Sequence, residues 1–260
     1  MVSGKKRCGR IKYLVDPDAV NAERLSSFDA LISKILNILY PSNCPACGNT
    51  SDVFHHSPIC ASCWSQIRHY SGPSCKICAM PFASEYGQVC GQCLKKSPPF
   101  SKVLNYGLYE GALSAAINHL KFYGVRRLAK PLAGLLCAFD FPGLDGIVPV
   151  PLSTRRLRER GFNQSLLIAR VISRKFHIPL LMDNLIKTKE TPPQIGLSAK
   201  KRLLNLKNAF GVKGNISGFR LLLVDDVMTT GATVTECSKV LMKAGAKEVT
   251  VLTLARASMM

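Results

Sequence analysis

Four Cys-x-x-Cys pairs within fifty residues constrain this chain more than any other feature: Cys44 with Cys47, Cys60 with Cys63, Cys75 with Cys78, and Cys90 with Cys93. Such a turn presents two thiolates on one knuckle, and two knuckles complete the tetrahedral sulfur shell that zinc takes in closed structural sites. Eight cysteines therefore make two zinc sites. Simple succession groups Cys44, Cys47, Cys60 and Cys63 around one ion, and Cys75, Cys78, Cys90 and Cys93 around the other. An interleaved arrangement, first pair with third and second with fourth, is also compatible with the spacing. Iron–sulfur clusters or redox dithiols are the competing uses, but the regular knuckles match zinc spacing better than ferredoxin patterns. His55, His56 and His69 are able to replace a thiolate; with eight cysteines at hand they are read as surface residues. A closed shell leaves no open coordination position, so the metals stabilise the fold or present a surface rather than perform chemistry.

The alternative use of so many cysteines is disulfides, and the surrounding sequence argues against it. The first forty residues carry scattered charge instead of the apolar stretch of an export signal, and no apolar run approaches a membrane span. The expectation is a cytoplasmic protein in a reducing compartment. Residues 1–27 read as a flexible basic arm, with Cys8 a lone thiol. Residues 28–39 (FDALISKILNIL) place Leu31, Ile32, Ile35, Leu36 and Leu39 at helical spacing and end before Pro41, so 28–97 reads as a helix plus a double zinc-ribbon module. LKKSPPF at 94–100 is a linker by composition, and 98–260 forms the second domain. With 260 residues, 47% of them apolar, the chain can bury an ordinary core there.

The second part alternates apolar strands (Val103–Tyr109, Gly146–Val150, Arg220–Val224, Val249–Leu254) with amphipathic helices (112–122, 126–139, 165–176, 198–206, 232–244). This is the α/β pattern of a mostly parallel sheet flanked by helices. Cys137 and Cys237 fall on apolar helix faces and read as core thiols, and His119 and His177 as helix histidines. The strand Arg220–Val224 runs into Asp225 and Asp226 and then Val227, Met228, Thr229, Thr230, Gly231, Ala232 and Thr233, after which a helix starts. Open α/β sheets bind ligands at the carboxyl end of a central strand, and the positive end of the next helix favours a phosphate. Two carboxylates, expected to be exposed at the strand end, grip a ribose diol or hold Mg²⁺ through water; Thr229–Thr233 wrap a phosphate. A plain strand-to-helix turn with an acidic cap is the bland alternative, and the TTGAT run speaks against it.

LLLVDDVMTTGAT resembles the phosphoribosyl pyrophosphate (PRPP) signature of type I phosphoribosyltransferases. From about residue 40 onward the chain further resembles the ComF/GntX family, which sets zinc-ribbon motifs before such a domain and is associated with DNA uptake in natural competence. IVPVPLSTRRLRERGFNQS at 147–165 and TPPQIGLSAKKRLLNLKNAF at 191–210 are the other matching stretches. The first forty residues lie outside the resemblance. It implies the type I phosphoribosyltransferase fold, Mg²⁺ bound with PRPP, ribose contacts from Asp225 and Asp226, and a 5′-phosphate held by Thr229, Thr230, Gly231, Ala232 and Thr233. Ser153, Thr154, Arg155 and Arg156 correspond to the pyrophosphate loop, where their hydroxyls and guanidiniums suit a diphosphate. Thr191, Gln194, Lys201, Arg202 and Asn205 resemble the loop that closes over the diphosphate in relatives and excludes water from a reactive sugar centre.

The chain carries a formal net charge of +19, and residues 151–210 hold thirteen Lys and Arg against Glu159, Asp183 and Glu190. One phosphate and one pyrophosphate do not require so much, which leaves room for nucleic acid. LKFYGVRR at 120–127 sets Phe122 and Tyr123 among Lys121, Arg126 and Arg127, the mixture of stacking faces and phosphate donors that suits single strands; Arg158 and Arg160 extend it. Taken alone, the two aromatics are read as core. Three functions follow: a single-stranded-DNA-handling competence factor that binds PRPP and meets other competence proteins, a phosphoribosyltransferase of the amidophosphoribosyltransferase kind that releases pyrophosphate, and a regulator that senses PRPP without turnover. The surplus charge and the cysteine module favour the first.

Overall fold

Leu221 to Val224 is an unbroken apolar run, and Val249 to Leu254 is apolar apart from the buried Thr250 and Thr253; both strands are covered on both faces and form the centre of the sheet. The computed structural model describes residues 42–51, 56–83, 87–189 and 206–258. The expected arm at 1–27, the helix at 28–39, Cys8, His55, and the stretch holding Thr191, Gln194, Lys201, Arg202 and Asn205 lie outside the described residues, as does all but the end of the helix expected at 198–206.

Four parallel strands, β1 (Lys102–Leu108), β2 (Gly146–Pro149), β5 (Arg220–Met228) and β6 (Glu248–Arg256), lie in the order β1-β6-β5-β2. Two further strands, β3 (Leu185–Lys187) and β4 (Phe210–Val212), pair antiparallel and were not visible in the sequence pattern. Helices α1 (Ala61–Ser65) and α2 (Gly91–Lys95) belong to the cysteine-rich part, and α3 (Gly111–Phe122), α4 (Ala129–Leu135), α5 (Thr154–Arg160), α6 (Gln164–Phe176) and α7 (Ala232–Lys243) to the rest. The helix expected at 126–139 is α4 with a 3₁₀ turn at each end, Arg126–Leu128 and Leu136–Ala138. None of the helices among the described residues is long and apolar enough to cross a membrane.

Alternation along β5 sorts the interior into two cores. Leu222 and Val224 face one that includes Ile117 and Leu120 of α3, Leu132 of α4, and Ile168 and Ile172 of α6. Leu221 and Leu223 face the other, with Val234, Cys237 and Leu241 of α7 and Phe210 of β4. Cys44, Cys60 and Cys63 pack into the first core, and Cys75, Cys78 and Cys93 into the second. The cysteine-rich part thus straddles the sheet.

Candidate functional site

The eight cysteines form two tetrads in simple succession, Cys44, Cys47, Cys60, Cys63 and Cys75, Cys78, Cys90, Cys93, with the four sulfurs of each within 4.8 Å of one another. The interleaved arrangement is thereby ruled out. In each knuckle the first cysteine's carbonyl accepts a turn-closing amide, Gly48 N–H to Cys44 at 2.7 Å and Ala79 N–H to Cys75 at 2.9 Å. Burial raises the Cys44 and Cys75 thiols, but backbone hydrogen bonds outweigh it and bring both down to about 7. A tetrathiolate zinc site with Zn–S near 2.3 Å has a sulfur–sulfur edge of about 3.8 Å. Cys47 and Cys60 approach to 3.7 Å, and Cys78 and Cys90 to 3.6 Å. Neither described histidine joins a tetrad: His56 stacks on Trp64, and His69 sits edge-on to Tyr106 and Phe139.

The acidic pair differs from its expected exposure. Asp225 and Asp226 are 9% and 3% exposed, because β5 continues through them to Met228 on its ladder with β6. Asp225 Oδ1 accepts the Ser165 hydroxyl at 3.1 Å and the Asp226 amide at 2.9 Å. Asp226 Oδ1 accepts the Val227 amide at 2.7 Å, and Lys121 Nζ lies 3.1 Å from Oδ1 and 3.0 Å from Oδ2. Burial and the neighbouring Asp226 charge push the Asp225 carboxyl up to about 7, with Lys121 pulling the other way. Beyond the pair the chain turns at Gly231, whose φ of +78° favours glycine; a Cβ there would stand 2.6 Å from Met228 Cε and push that side-chain tip aside. No side chain caps α7, although Ala232 N–H reaches the Thr230 hydroxyl at 3.4 Å. With Thr229, Thr230 and Thr233 around it, this helix start can receive an anion on its first-turn amides.

Residues 153–156 are the start of a helix rather than a loop. Ser153 is buried and caps α5 by accepting the Arg156 amide; Thr154 and Arg155 are exposed, and Arg155 pairs with Glu159 at 2.8 Å. Since β2 lies beside β5 in parallel, with Pro149 opposite Val224, the start of α5 and the acidic pair share the carboxyl edge of the sheet.

Phe122 and Tyr123 are 60% and 72% exposed, contrary to their reading as core. The Arg160 guanidinium lies 5.1 Å from the Phe122 ring, and that of Arg126 lies 4.8 Å from Phe162 while donating to the Gly161 carbonyl. Arg158 is exposed on α5. Two residues assigned to the same surface are engaged within the fold instead: Lys121 on Asp226, and Arg127, which donates to the Ser57 carbonyl at 3.0 Å and hydroxyl at 3.3 Å. Sequence reasoning missed the roles of Lys121 and Ser165, which reach the acidic pair across 105 and 60 residues of chain. It also missed a cleft between the first tetrad and the start of α3, lined by Arg68, His69, Tyr70 and Glu110.

Family models match in two places: a double zinc ribbon domain over residues 35–94, and a phosphoribosyl transferase domain over residues 163–258. The chain is 39% identical to competence protein F of Haemophilus influenzae over 210 residues, which is 76% of this chain and 90% of that protein. It is 38% identical over 209 residues to the DNA utilization protein YhgH of Escherichia coli K12, covering 77% of this chain and 91% of the relative. Competence protein ComFC of Bacillus subtilis is 29% identical over 210 residues, 76% of this chain and 84% of that protein.

Proposed function

This chain belongs to the ComF family of competence and DNA-utilisation proteins, and on that footing we propose that it binds PRPP with Mg²⁺ and handles single-stranded DNA during DNA uptake. One juxtaposition carries the reading: a hydrogen-bonded carboxylate pair followed by a helix start without a side-chain cap, on the sheet edge that also receives the start of α5. Asp225 and Asp226 accept the ribose hydroxyls. Thr229 to Thr233 hold the 5′-phosphate, and Ser153, Thr154, Arg155 and Arg156 face the diphosphate; Arg202, outside the described residues, is assigned to the same group by the family resemblance. Mg²⁺ supplies charge neutralisation for that diphosphate. Lys121 and Ser165 fix the carboxylates before the ligand arrives, so less ordering remains to be done on binding. Zinc fills both cysteine tetrads, whose sulfur spacing fits it. The strand runs over Phe122, Tyr123, Arg126, Arg158 and Arg160, where exposed rings offer stacking and guanidiniums meet phosphates.

Calorimetric titration of Mg·PRPP into the protein, with and without a short single-stranded oligonucleotide and followed by a pyrophosphate-release assay, tests the reading. Burial of the acidic pair decides the variant. Alanine would strand Lys121 and leave the Ser165 hydroxyl and two amides without acceptors, whereas D225N/D226N keeps the shape and removes the charge. Its PRPP affinity should fall by about 100-fold, the worth of two charge-assisted hydrogen bonds. Unchanged affinity in the folded variant would sink the assignment. Steady pyrophosphate release would turn the binding protein into a transferase. The raised Asp225 carboxyl adds a sign: ribose hydroxyls favour the ionised form, so affinity should rise from pH 6 to pH 8 with proton release on binding, read in buffers of different ionisation enthalpy. A flat profile would mean that Asp225 does not face the ligand.

A further inference from the structure

One ammonium stands between the acidic pair and the exposed aromatics. Lys121 Nζ donates to Asp226 Oδ1 at 3.1 Å and lies 3.0 Å from Oδ2, while the centre of the Phe122 ring is 6.0 Å away. That ring is exposed, and the Arg160 guanidinium lies 5.1 Å from it, so two cations approach one surface aromatic. Asp226 keeps acceptor capacity in reserve. Its Oδ1 takes the Val227 amide and Lys121, whereas Oδ2 is buried and accepts no hydrogen bond from the described residues. A buried carboxylate oxygen in that state is costly, and a further donor would relieve the cost. Because Oδ2 is sealed from solvent, a ligand hydroxyl gains it only as the packing around it opens. Lys121 is the contacting side chain with a route to water: it is 21% exposed against 4% for Asp226, and it sits in the last turn of α3.

We propose that Lys121 is shared between two ligands: it holds Asp226 in the free protein, and when ribose hydroxyls take that carboxylate it swings out beside Phe122 to meet a phosphate of the single strand. The inference rests on the two-site reading given above and adds how the sites are coupled. The exchange keeps every charge paired, since Asp226 trades an ammonium for hydroxyl donors while the ammonium trades one oxyanion for another. PRPP then tightens the strand, and the strand tightens PRPP by the same factor. Bare electrostatics gives the opposite sign, because PRPP and the strand are both polyanions and repel each other. The sign of the coupling therefore separates a Lys121 hand-over from simple proximity of two anion sites.

The test uses the full chain and the fluorescence anisotropy of a labelled oligothymidylate of about 16 nucleotides, titrated across a salt series with Mg²⁺ in every arm. Saturating PRPP should tighten strand binding to the wild type by about fivefold or more and steepen its logarithmic salt dependence by about 0.7, the mark of one more phosphate contact on a single strand. D226N, which frees Lys121 without any PRPP, should reproduce both changes. In a K121M background the same substitution should do neither, a comparison that subtracts the plain effect of losing one negative charge. Weaker or unchanged strand binding with PRPP in the wild type, or an equal response to D226N with and without Lys121, overturns the proposal. Should K121M fail to fold, D226N/K121M, which buries no lone charge, is compared with D226N, and equal strand affinity and slope in the two overturns the hand-over. A wild type that binds strand and PRPP independently keeps the two-site reading and removes only the coupling; one that fails to bind either of them removes both.

Discussion

The two cysteine tetrads share a motif, a spacing and a turn geometry, yet they are embedded differently. The first packs on the face covered by α3, α4 and α6, with Cys47 exposed and a cleft opening beside it. The second lies on the face of α7 and β4 with no exposed member, and its knuckle is stitched into the sheet where Val103 N–H donates to the Ile77 carbonyl at 2.8 Å. Each tetrad sets three buried cysteines into a core, but the first keeps one corner open to solvent, a clip at the margin of its core, and its neighbour is closed within one. What decides is the surface each buries, not the ligand set.

The sharpest way to break that comparison is to remove one ligand from each tetrad. Cys78→Ser should unfold the sheet domain, because Cys78 is itself buried in the core with Leu221, Leu223 and Val251, whereas Cys47 is exposed. The loss should reach several kcal/mol, since metal binding free energy is folding free energy in such modules. Cys47→Ser should leave the sheet domain folded and Mg·PRPP binding within about threefold of wild type, a change below 1 kcal/mol. Thermal denaturation beside the PRPP titration reads both. Equal destabilisation by the two variants would show that the tetrads are equivalent after all.

Ile59→Ala comes next in size. Ile59 is fully buried against the α3 side of the sheet, and the deletion should cost about 2–5 kcal/mol as a cavity. Zinc at the second tetrad should be retained at its wild-type release rate. Faster release there would mean that the two faces unfold together and that the contrast between them is only local.

Much of this was legible before any coordinates. The cysteine spacing gives two four-sulfur sites, and the apolar runs at 220–224 and 249–254 give the central strands. The choice of sheet face was not legible, because it depends on the path of the segments between the pairs. Nor was the burial of Asp225 and Asp226: the apolar run stops at Val224, but the strand is held four residues longer by pairing with Thr253, Ala255 and Arg256. Arg256 itself, at the end of an apolar strand, carries no mark of burial in the sequence, yet it is fully buried in the fold. The exposure of Phe122 could have been found, because Leu113, Ala116, Ile117 and Leu120 mark the buried stripe of α3 and Phe122 falls off that spacing. Tyr123 falls on it, three residues past Leu120, and is exposed where the helix ends. Strands β3 and β4 are three residues each and far apart in sequence, too short to show a period of two.

The smallest expected effect isolates the fastening of the first tetrad. Arg127 precedes Leu128, which is buried in the core shared with α4, and reaches across to donate to Ser57, three residues before Cys60. Its guanidinium is exposed, so water replaces part of what is lost, and Arg127→Ala should cost about 1 kcal/mol. The change should be local. Amide hydrogen exchange should accelerate roughly fivefold over residues 56–70, as about 1 kcal/mol implies, with residues 75–93 and β5 unaltered. Acceleration that spread to residues 75–93 would mean that opening the first tetrad also opens the second, and the peripheral clip would then have to be counted as part of the core.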